Sequence, residues 1–188
     1  FPRAYENRGD ICLLSEAREE GKSAVILTVA TEPRRAMIRR GMTLLKFRAF
    51  DESGTCEITY YNQDYLRDRF TIGATFRFFG RVEKKGKRYA MSSPVSEAYV
   101  EGQPLPPLVA LYPLTEGLSQ HQVTQNIESA LSLTGDRADP LPNEIRTRRG
   151  LCTLKYALRN IHFPEDYAAL SAAKKRLIYD ELFAFSPV

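Results

Sequence analysis

Thr43-Leu44-Leu45-Lys46-Phe47-Arg48-Ala49-Phe50-Asp51-Glu52-Ser53-Gly54-Thr55-Cys56-Glu57-Ile58-Thr59-Tyr60-Tyr61 is two stretches of alternation joined by a turn. In the first, Leu45, Phe47 and Ala49 alternate with Leu44, Lys46 and Arg48. In the second, Cys56, Ile58 and Tyr60 alternate with Thr55, Glu57, Thr59 and Tyr61. A period of two places each set on one face of a strand. Asp51-Glu52-Ser53-Gly54 has the chemistry of a hairpin connection. The stretch therefore reads as an antiparallel pair over 43–50 and 55–61, with a filled inner face and Tyr61 on the outer one.

The flanks extend this pair. A strand over 23–31 puts Val25, Leu27 and Val29 on one face. A short helix over 64–70 is ended by Gly73. A strand over 75–82 carries Phe76, Phe78 and Val82 inward, with Arg77 and Arg81 outward. Lys84-Lys85-Gly86-Lys87 turns the chain into a last strand over 88–93, with Tyr89 and Met91 inward. Five strands with one helix between the third and fourth give the order of an OB-fold barrel. A small sandwich or an SH3-like barrel is the alternative, and the position of the helix argues against it.

Beyond the strands the composition changes. Gly102, Pro104, Pro106, Pro107 and Pro113 mark residues 101–118 as a linker and forbid regular structure across most of it. Residues 119–188 read as helical. Val123, Ile127, Ala130 and Leu131 repeat at helical spacing, Thr153 caps a helix through Ile161, and Pro164 ends it. Leu170, Leu177, Ile178, Leu182 and Phe185 form a stripe over 167–185. These helices show no core of their own and are expected to pack on a neighbour. The fold class is α+β: a five-stranded OB-fold β-barrel over 1–100, a Pro-rich linker over 101–118 and a helical segment over 119–188.

Composition sets the limits. Hydrophobic residues make up 43% and charged residues 27% of 188 positions, as in ordinary globular proteins. No apolar run approaches the roughly 20 residues that span a bilayer, so no membrane partner is expected. Cys12, Cys56 and Cys152 are scattered, with neither disulfide nor zinc spacing. A reduced, cytoplasmic setting is expected. Phe1-Pro2-Arg3 is neither an initiator nor a signal peptide, which suggests a piece of a longer polypeptide. The net charge of +4 is uneven, with 18 Lys/Arg against 13 Asp/Glu in residues 1–100 and 9 against 10 thereafter.

Candidate contacts lie in the basic half. Tyr61 is outward on its strand, and Tyr65 follows four residues later. Two exposed rings either stack on unpaired bases or cover the barrel end, and their spacing fits both. Arg34, Arg35, Arg39 and Arg40 fill the loop between the first two strands, which borders the binding face of OB-folds. With Lys46 and Arg48 they form a candidate phosphate track; a solvated charged face is the other reading. Gly21-Lys22-Ser23 is no phosphate loop, because it leads into a strand and Glu16 stands where the first Gly is required. Ile178-Tyr179-Asp180-Glu181 lies in a helical stretch and is no metal-binding acidic motif. His121 and His162 lack partners at ligand spacing. No catalytic residue, cofactor or metal is assigned.

The order of several landmarks resembles the RecG family, bacterial ATP-dependent branch-migration helicases. Pro2-Arg3-Ala4-Tyr5-Glu6-Asn7-Arg8 is similar to the opening "LPxxYEDR", and Asp51 to Gly54 followed by Tyr61-Asn62-Gln63-Asp64-Tyr65-Leu66 to the wedge segment "D-x-x-G … F-N-Q-x-Y-L". Tyr112-Pro113-Leu114-Thr115-Glu116-Gly117-Leu118 matches "YPLTEGL". Leu141-Pro142, Ile161-His162-Phe163-Pro164 and Arg176-Leu177-Ile178-Tyr179-Asp180-Glu181-Leu182 follow in family order. The resemblance implies a DNA-binding wedge that meets replication forks and Holliday junctions, with Tyr61 and Tyr65 stacking on junction bases. Family members usually have Phe where Tyr61 stands. It also implies that ATP and magnesium belong to motor domains of the same polypeptide, and that this chain is non-catalytic; a monomer is expected. A stand-alone OB-fold for single-stranded nucleic acid is the alternative, and a protein–protein adaptor using the aromatic edge is a third reading.

Overall fold

The computed structural model describes residues 1–135 and 138–184. Among these, the strands are β1 (Ala4–Asn7), β2 (Ser23–Val29), β3 (Arg34–Arg39), β4 (Met42–Asp51), β5 (Gly54–Tyr61), β6 (Thr75–Gly80), β7 (Glu83–Lys85), β8 (Arg88–Ser92), β9 (Val95–Ala98) and β10 (Leu108–Leu111). The α-helices are α1 (Gln120–Leu133), α2 (Asn143–Arg149), α3 (Leu154–His162) and α4 (Tyr167–Ala184). Short 3-10 segments lie at Leu14–Glu16 and Asp64–Arg69. The fold is α+β and divides into two compact units: Arg8–Leu105, and Phe1–Asn7 together with the chain from Pro106 onward.

In the first of these, one sheet runs β7-β8-β5-β4-β2-β6-β9, with β3 also on β4. The five expected strands are β2, β4, β5, β6 and β8, and β5 pairs with β8 in parallel as an OB order requires. The helix between the third and fourth is the 3-10 segment Asp64–Arg69. Alternation places Val25, Leu27, Leu45, Phe47, Cys56, Ile58, Tyr60 and Phe78 in the core, each at most 2% exposed. Phe70, directly after the 3-10 segment, enters this core with its ring centroid 4.6 Å from Phe47, 5.0 Å from Phe76 and 5.6 Å from Tyr60.

The expected closed barrel is corrected to an open sheet. β6 does not pair with β8, because β9 occupies the outer edge of β6. The chain leaves β8 through Ser93, at φ 45, and Pro94, which has no N–H to give a ladder. The expected loop after the first strand is likewise a strand. β2 pairs with β4 only at Phe50 and Ala49, so the front half of β4 has a free edge, and β3 takes it through Arg34↔Lys46 to Arg39↔Met42. Every residue of β3 is exposed, so no inner apolar face marked it in the sequence.

The β4–β5 turn shows why Asp51 and Gly54 stand where they do. Asp51 Oδ1 accepts from Ser53 N, Ser53 Oγ and Gly54 N, and Oδ2 accepts from Leu14 N. A Cβ on Gly54 would lie 2.9 Å from the Tyr89 ring. At Gly21-Lys22-Ser23 the structure agrees with the sequence: Lys22 lies over the Phe79 ring and Ser23 opens β2.

The other unit corrects two expectations. Residues 101–118 are irregular across most of their length, as expected, and hold one short strand, β10, which pairs antiparallel with β1 from Ala4↔Leu111 to Asn7↔Leu108. Pro104, Pro106 and Pro107 precede that strand and Pro113 follows it, so none interrupts it. The 1–100, 101–118 and 119–188 division therefore shifts: the first seven residues group with the helical part. The helices also have a core of their own, formed by Leu108, Ala157, Ile161, Leu170 and Ala173 with Tyr5, Cys152 and Leu177 against it.

Ser119 caps α1, its side chain accepting from Gln122 N, but α1 buries none of its side chains fully. In α4 the stripe is buried at Leu170 while Ile178 and Leu182 are exposed, and Phe185 lies outside the described residues. Asp180 and its neighbours are helical, consistent with the rejected acidic motif. Among the described residues no helix is long and apolar enough to cross a membrane, and no His, Cys, Asp and Glu group could hold a metal ion.

Several of the landmark residues meet inside this unit. Tyr5 Oη donates to Ile161 O at 2.8 Å, and Tyr112 Oη shares a 2.9 Å hydrogen bond with His162 Nδ1. Arg176 is fully buried and donates to Asp139 Oδ1 and Oδ2, to Asp180 and to Cys152 O. The hydrogen bond to Arg176 is the main cause that holds the Asp139 carboxyl well below the usual carboxylate range. A carboxyl depressed on folding stabilises fully above its unfolded value, about 4, and this is lost as pH falls toward the folded value. Asp139→Asn is expected to cost about 3 kcal/mol near neutral pH. It should also flatten the stability loss between about pH 4 and pH 2. Urea melts followed by helical circular dichroism measure both; an unaltered acid slope would contradict the assignment.

Candidate nucleic-acid interface

Residues opposite one another in a ladder share a face of the sheet. Arg34 opposes Lys46, and Lys46 opposes Thr59; Ala36 opposes Leu44, and Leu44 opposes Tyr61. Arg48 opposes Glu57. Arg34, Lys46, Arg48 and Tyr61 therefore lie on one outer face. Beside them is a cleft of about 600 Å³ lined by Thr31, Glu32, Arg34, Lys46, Arg48 and Glu57, among others. Lys46 Nζ is 2.8 Å from Glu57 Oε1.

Arg35 and Met37 face the other way, while the register shift after Met37 returns Arg39 to the face of Arg34 and Lys46. Arg35 Nε meets Asp64 Oδ2 at 2.7 Å, which ties the β3–β4 hairpin to the 3-10 segment. Tyr65, next to Asp64, is 78% exposed, and Tyr61 is 40% exposed. Arg39 and Arg40 occupy the hairpin end, where Gly41 takes a φ of 79. Among the described residues Arg34, Arg39, Arg40 and Arg48 make no salt bridge, so their charge is not spent within the fold. Arg35 and Lys46 each have an acidic partner and present less net charge.

Tyr61 owes its place to Asn62. Asn62 has a left-handed φ of 54, donates its N–H to Thr43 O at 3.0 Å, and accepts from Thr43 N at 2.9 Å through Oδ1. Asn tolerates this conformation better than most residues. The chain leaves β5 there, Leu66 packs against the core, and Tyr65 stays outside it. The neighbouring Tyr60 belongs to the core: burial pushes its hydroxyl up to about 12.

Arg77 stands on the face opposite Phe76 and Phe78, as its position predicts, but is 1% exposed and not a free cation of the surface. It opposes Glu97 on β9, meets Glu97 Oε2 at 2.6 Å and donates to Arg8 O at 3.0 Å. β9 was not visible as a strand in the sequence, so its carboxylate was not available to that reading. Arg81 lies just beyond β6 and is exposed.

An OB-type sheet with a cationic hairpin and exposed tyrosines at and just beyond the end of β5 defines the class of domain. The comparisons with known proteins narrow it. The family described as the RecG wedge domain matches residues 1–134, and the chain belongs to that family. The ATP-dependent DNA helicase RecG of Thermotoga maritima is 29% identical over 190 residues, covering 97% of this chain and 24% of that protein. Its counterpart from Synechocystis is 37% identical over 91 residues, 48% of this chain and 10% of that protein. A solved structure of RecG bound to a three-way DNA junction superposes with a TM-score of 0.84 at 27% identity, over 98% of this chain and 26% of that one. The chain thus spans about a quarter of the length of such relatives.

Asn62→Ala removes the Oδ1 acceptor and strains the left-handed backbone. It is expected to cost about 1–2 kcal/mol in urea unfolding. Asn62→Gly, which relieves the backbone strain, should cost less. Equal losses would assign the residue's role to the hydrogen bond alone.

Proposed function

We propose that this chain is the DNA-binding wedge of an ATP-dependent helicase and that it engages branched DNA, replication forks and Holliday junctions in recombination and repair. The observation that carries this reading is the agreement, over 98% of the chain, with a RecG solved on a three-way junction. The local chemistry supports it. Exposed rings at Tyr61 and Tyr65 offer stacking surfaces to unpaired bases, and Arg34, Arg39, Arg40 and Arg48 offer unpaired charge to phosphates. Arg35 and Lys46 contribute as secondary contacts, since each already meets a carboxylate.

In this reading the chain performs no catalysis and needs no cofactor to hold DNA. ATP and magnesium act in motor domains of the same polypeptide, which are its protein partners. It works as a monomer in the cytoplasm. Residues 119–188 form the path toward the motor.

Fluorescence anisotropy should give tighter binding of the chain to a fork than to a blunt duplex of equal length. Equal affinities would favour a general OB-fold binder instead. Tyr61→Ala and Tyr65→Ala should each weaken fork binding by about 1–3 kcal/mol, or roughly 5- to 150-fold. Two well-folded variants with full fork preference would rule out stacking.

Salt dependence tests the cations separately. Arg39→Ala/Arg40→Ala should make the slope of log affinity against log salt shallower by roughly 1 to 2. An unchanged slope takes both residues off the phosphate track. A salt-insensitive wild type would point to the adaptor reading.

A further inference from the structure

The cleft beside the outer face is lined by two carboxylates, for which a phosphate track alone has no use. Glu57 is taken up by Lys46 at 2.8 Å. Glu32 is not taken up. It lines the same cleft as Arg34 and Arg48, yet among the described residues it makes no salt bridge with either. A carboxylate and two guanidinium groups thus border one space of about 600 Å³ without neutralising each other. That volume falls within the roughly 300–1,000 Å³ of sites for small organic groups.

Backbone contacts fix the walls. Arg48 N donates to Thr31 Oγ1 at 2.9 Å, and Ala30 N and Thr31 N donate to Arg48 O, which holds the β2–β3 connection against β4. Pro33 is buried directly after Glu32 and restricts Glu32 to an extended backbone. Gly73 N donates to Val29 O at 2.9 Å and keeps Ile72, 60% exposed, at the cleft. The cleft therefore offers an apolar surface, two free guanidinium groups and one free carboxylate.

A nucleotide meets all three, with a flat base for Ile72, a phosphate for the arginines and N–H donors for Glu32. The cationic track continues through Arg39, on the same face but outside the cleft, which suits a nucleotide within a strand better than a free one. A carboxylate can accept two N–H groups side by side. Guanine alone among the DNA bases presents two neighbouring donors on its pairing edge, N1–H and the 2-amino group. Thymine sets a carbonyl on each side of its one N–H, and both repel a carboxylate. We propose that the cleft seats one unpaired nucleotide and that Glu32 selects guanine there by accepting from N1–H and the 2-amino group. The proposal rests on the DNA-binding reading above and gives the same site a base preference that phosphate contacts cannot supply.

The test uses the chain and forks with thymine single-stranded arms, in which one thymine at a time is replaced by guanine or by hypoxanthine, which is guanine without the 2-amino group. By fluorescence anisotropy, wild type should bind one guanine fork about tenfold tighter than the all-thymine fork, toward the low end for a bidentate base contact. Hypoxanthine at that position should lose most of the gain. Glu32→Gln, whose amide keeps a single acceptor, should bind the guanine and thymine forks alike without losing affinity for the thymine fork. Ile72→Ser should weaken binding to both forks. Glu52→Gln, which alters an exposed carboxylate outside the cleft, should behave as wild type. Thermal unfolding checks that each variant is folded.

The absence of a guanine preference at every position overturns the proposal, as does a preference that survives Glu32→Gln or full affinity in Ile72→Ser. In each case tighter binding to a fork than to a blunt duplex leaves the branched-DNA reading standing. A guanine preference that depends on Glu32, on forks bound no tighter than a blunt duplex, keeps the cleft and overturns the branched-DNA reading.

Discussion

Phe70 is the contact on which the surface arrangement depends. Its ring sits among Phe47, Tyr60, Phe76 and Phe78 and is 1% exposed. It is also the residue that ends the 3-10 segment. Aromatic rings in such clusters bury large areas and favour tilted or edge contacts, each adding roughly 0.5–1.5 kcal/mol beyond the burial. The six residues before Phe70 are consequently held over the end of the sheet although none of them is itself buried. Tyr65 can remain outside because Phe70 and the partly buried Leu66 do the anchoring. A loop with its only apolar side chains at the surface would have no such fixed position.

Much of this was legible in residue order. Alternation from Leu45 to Tyr60 assigns the inner and outer faces of β4 and β5, and the structure follows that assignment residue by residue. Arg77 escaped because its exposure depends on Glu97, a partner 20 positions away on a strand of four residues. β3 escaped for a different reason. Burial produces the period-two signal, and a strand with no buried residue gives none. Closure of the barrel was expected from strand order, but order does not report that β9 competes with β8 for the edge of β6.

Most of the landmark residues divide into two kinds. Tyr5, Tyr112, His162 and Arg176 serve the helical unit's own architecture, through hydrogen bonds between segments distant in the chain. Asp51, Gly54 and Asn62 set turns around the sheet. Tyr61 and Tyr65 fit neither description, since the fold leaves them exposed. A motif pattern treats all of these alike, and burial and hydrogen bonding separate them. His121 and the three cysteines gain no chemistry from the structure; burial raises the thiols, and the highest, Cys56, reaches about 12.

An open sheet also has rims, and unpaired rims invite a strand from another molecule. Here they are β7, β9 and the outer side of β3, of three, four and six residues. β7 reads Glu-Lys-Lys, β9 follows Pro94 and carries Glu97, and β3 contains three arginines. Like charges set side by side would repel a second copy at β3, and the other two are too short to template a long ladder. The hairpin arginines thus set like charge against like along an unpaired rim, and charge on an exposed edge opposes the addition of a further strand there.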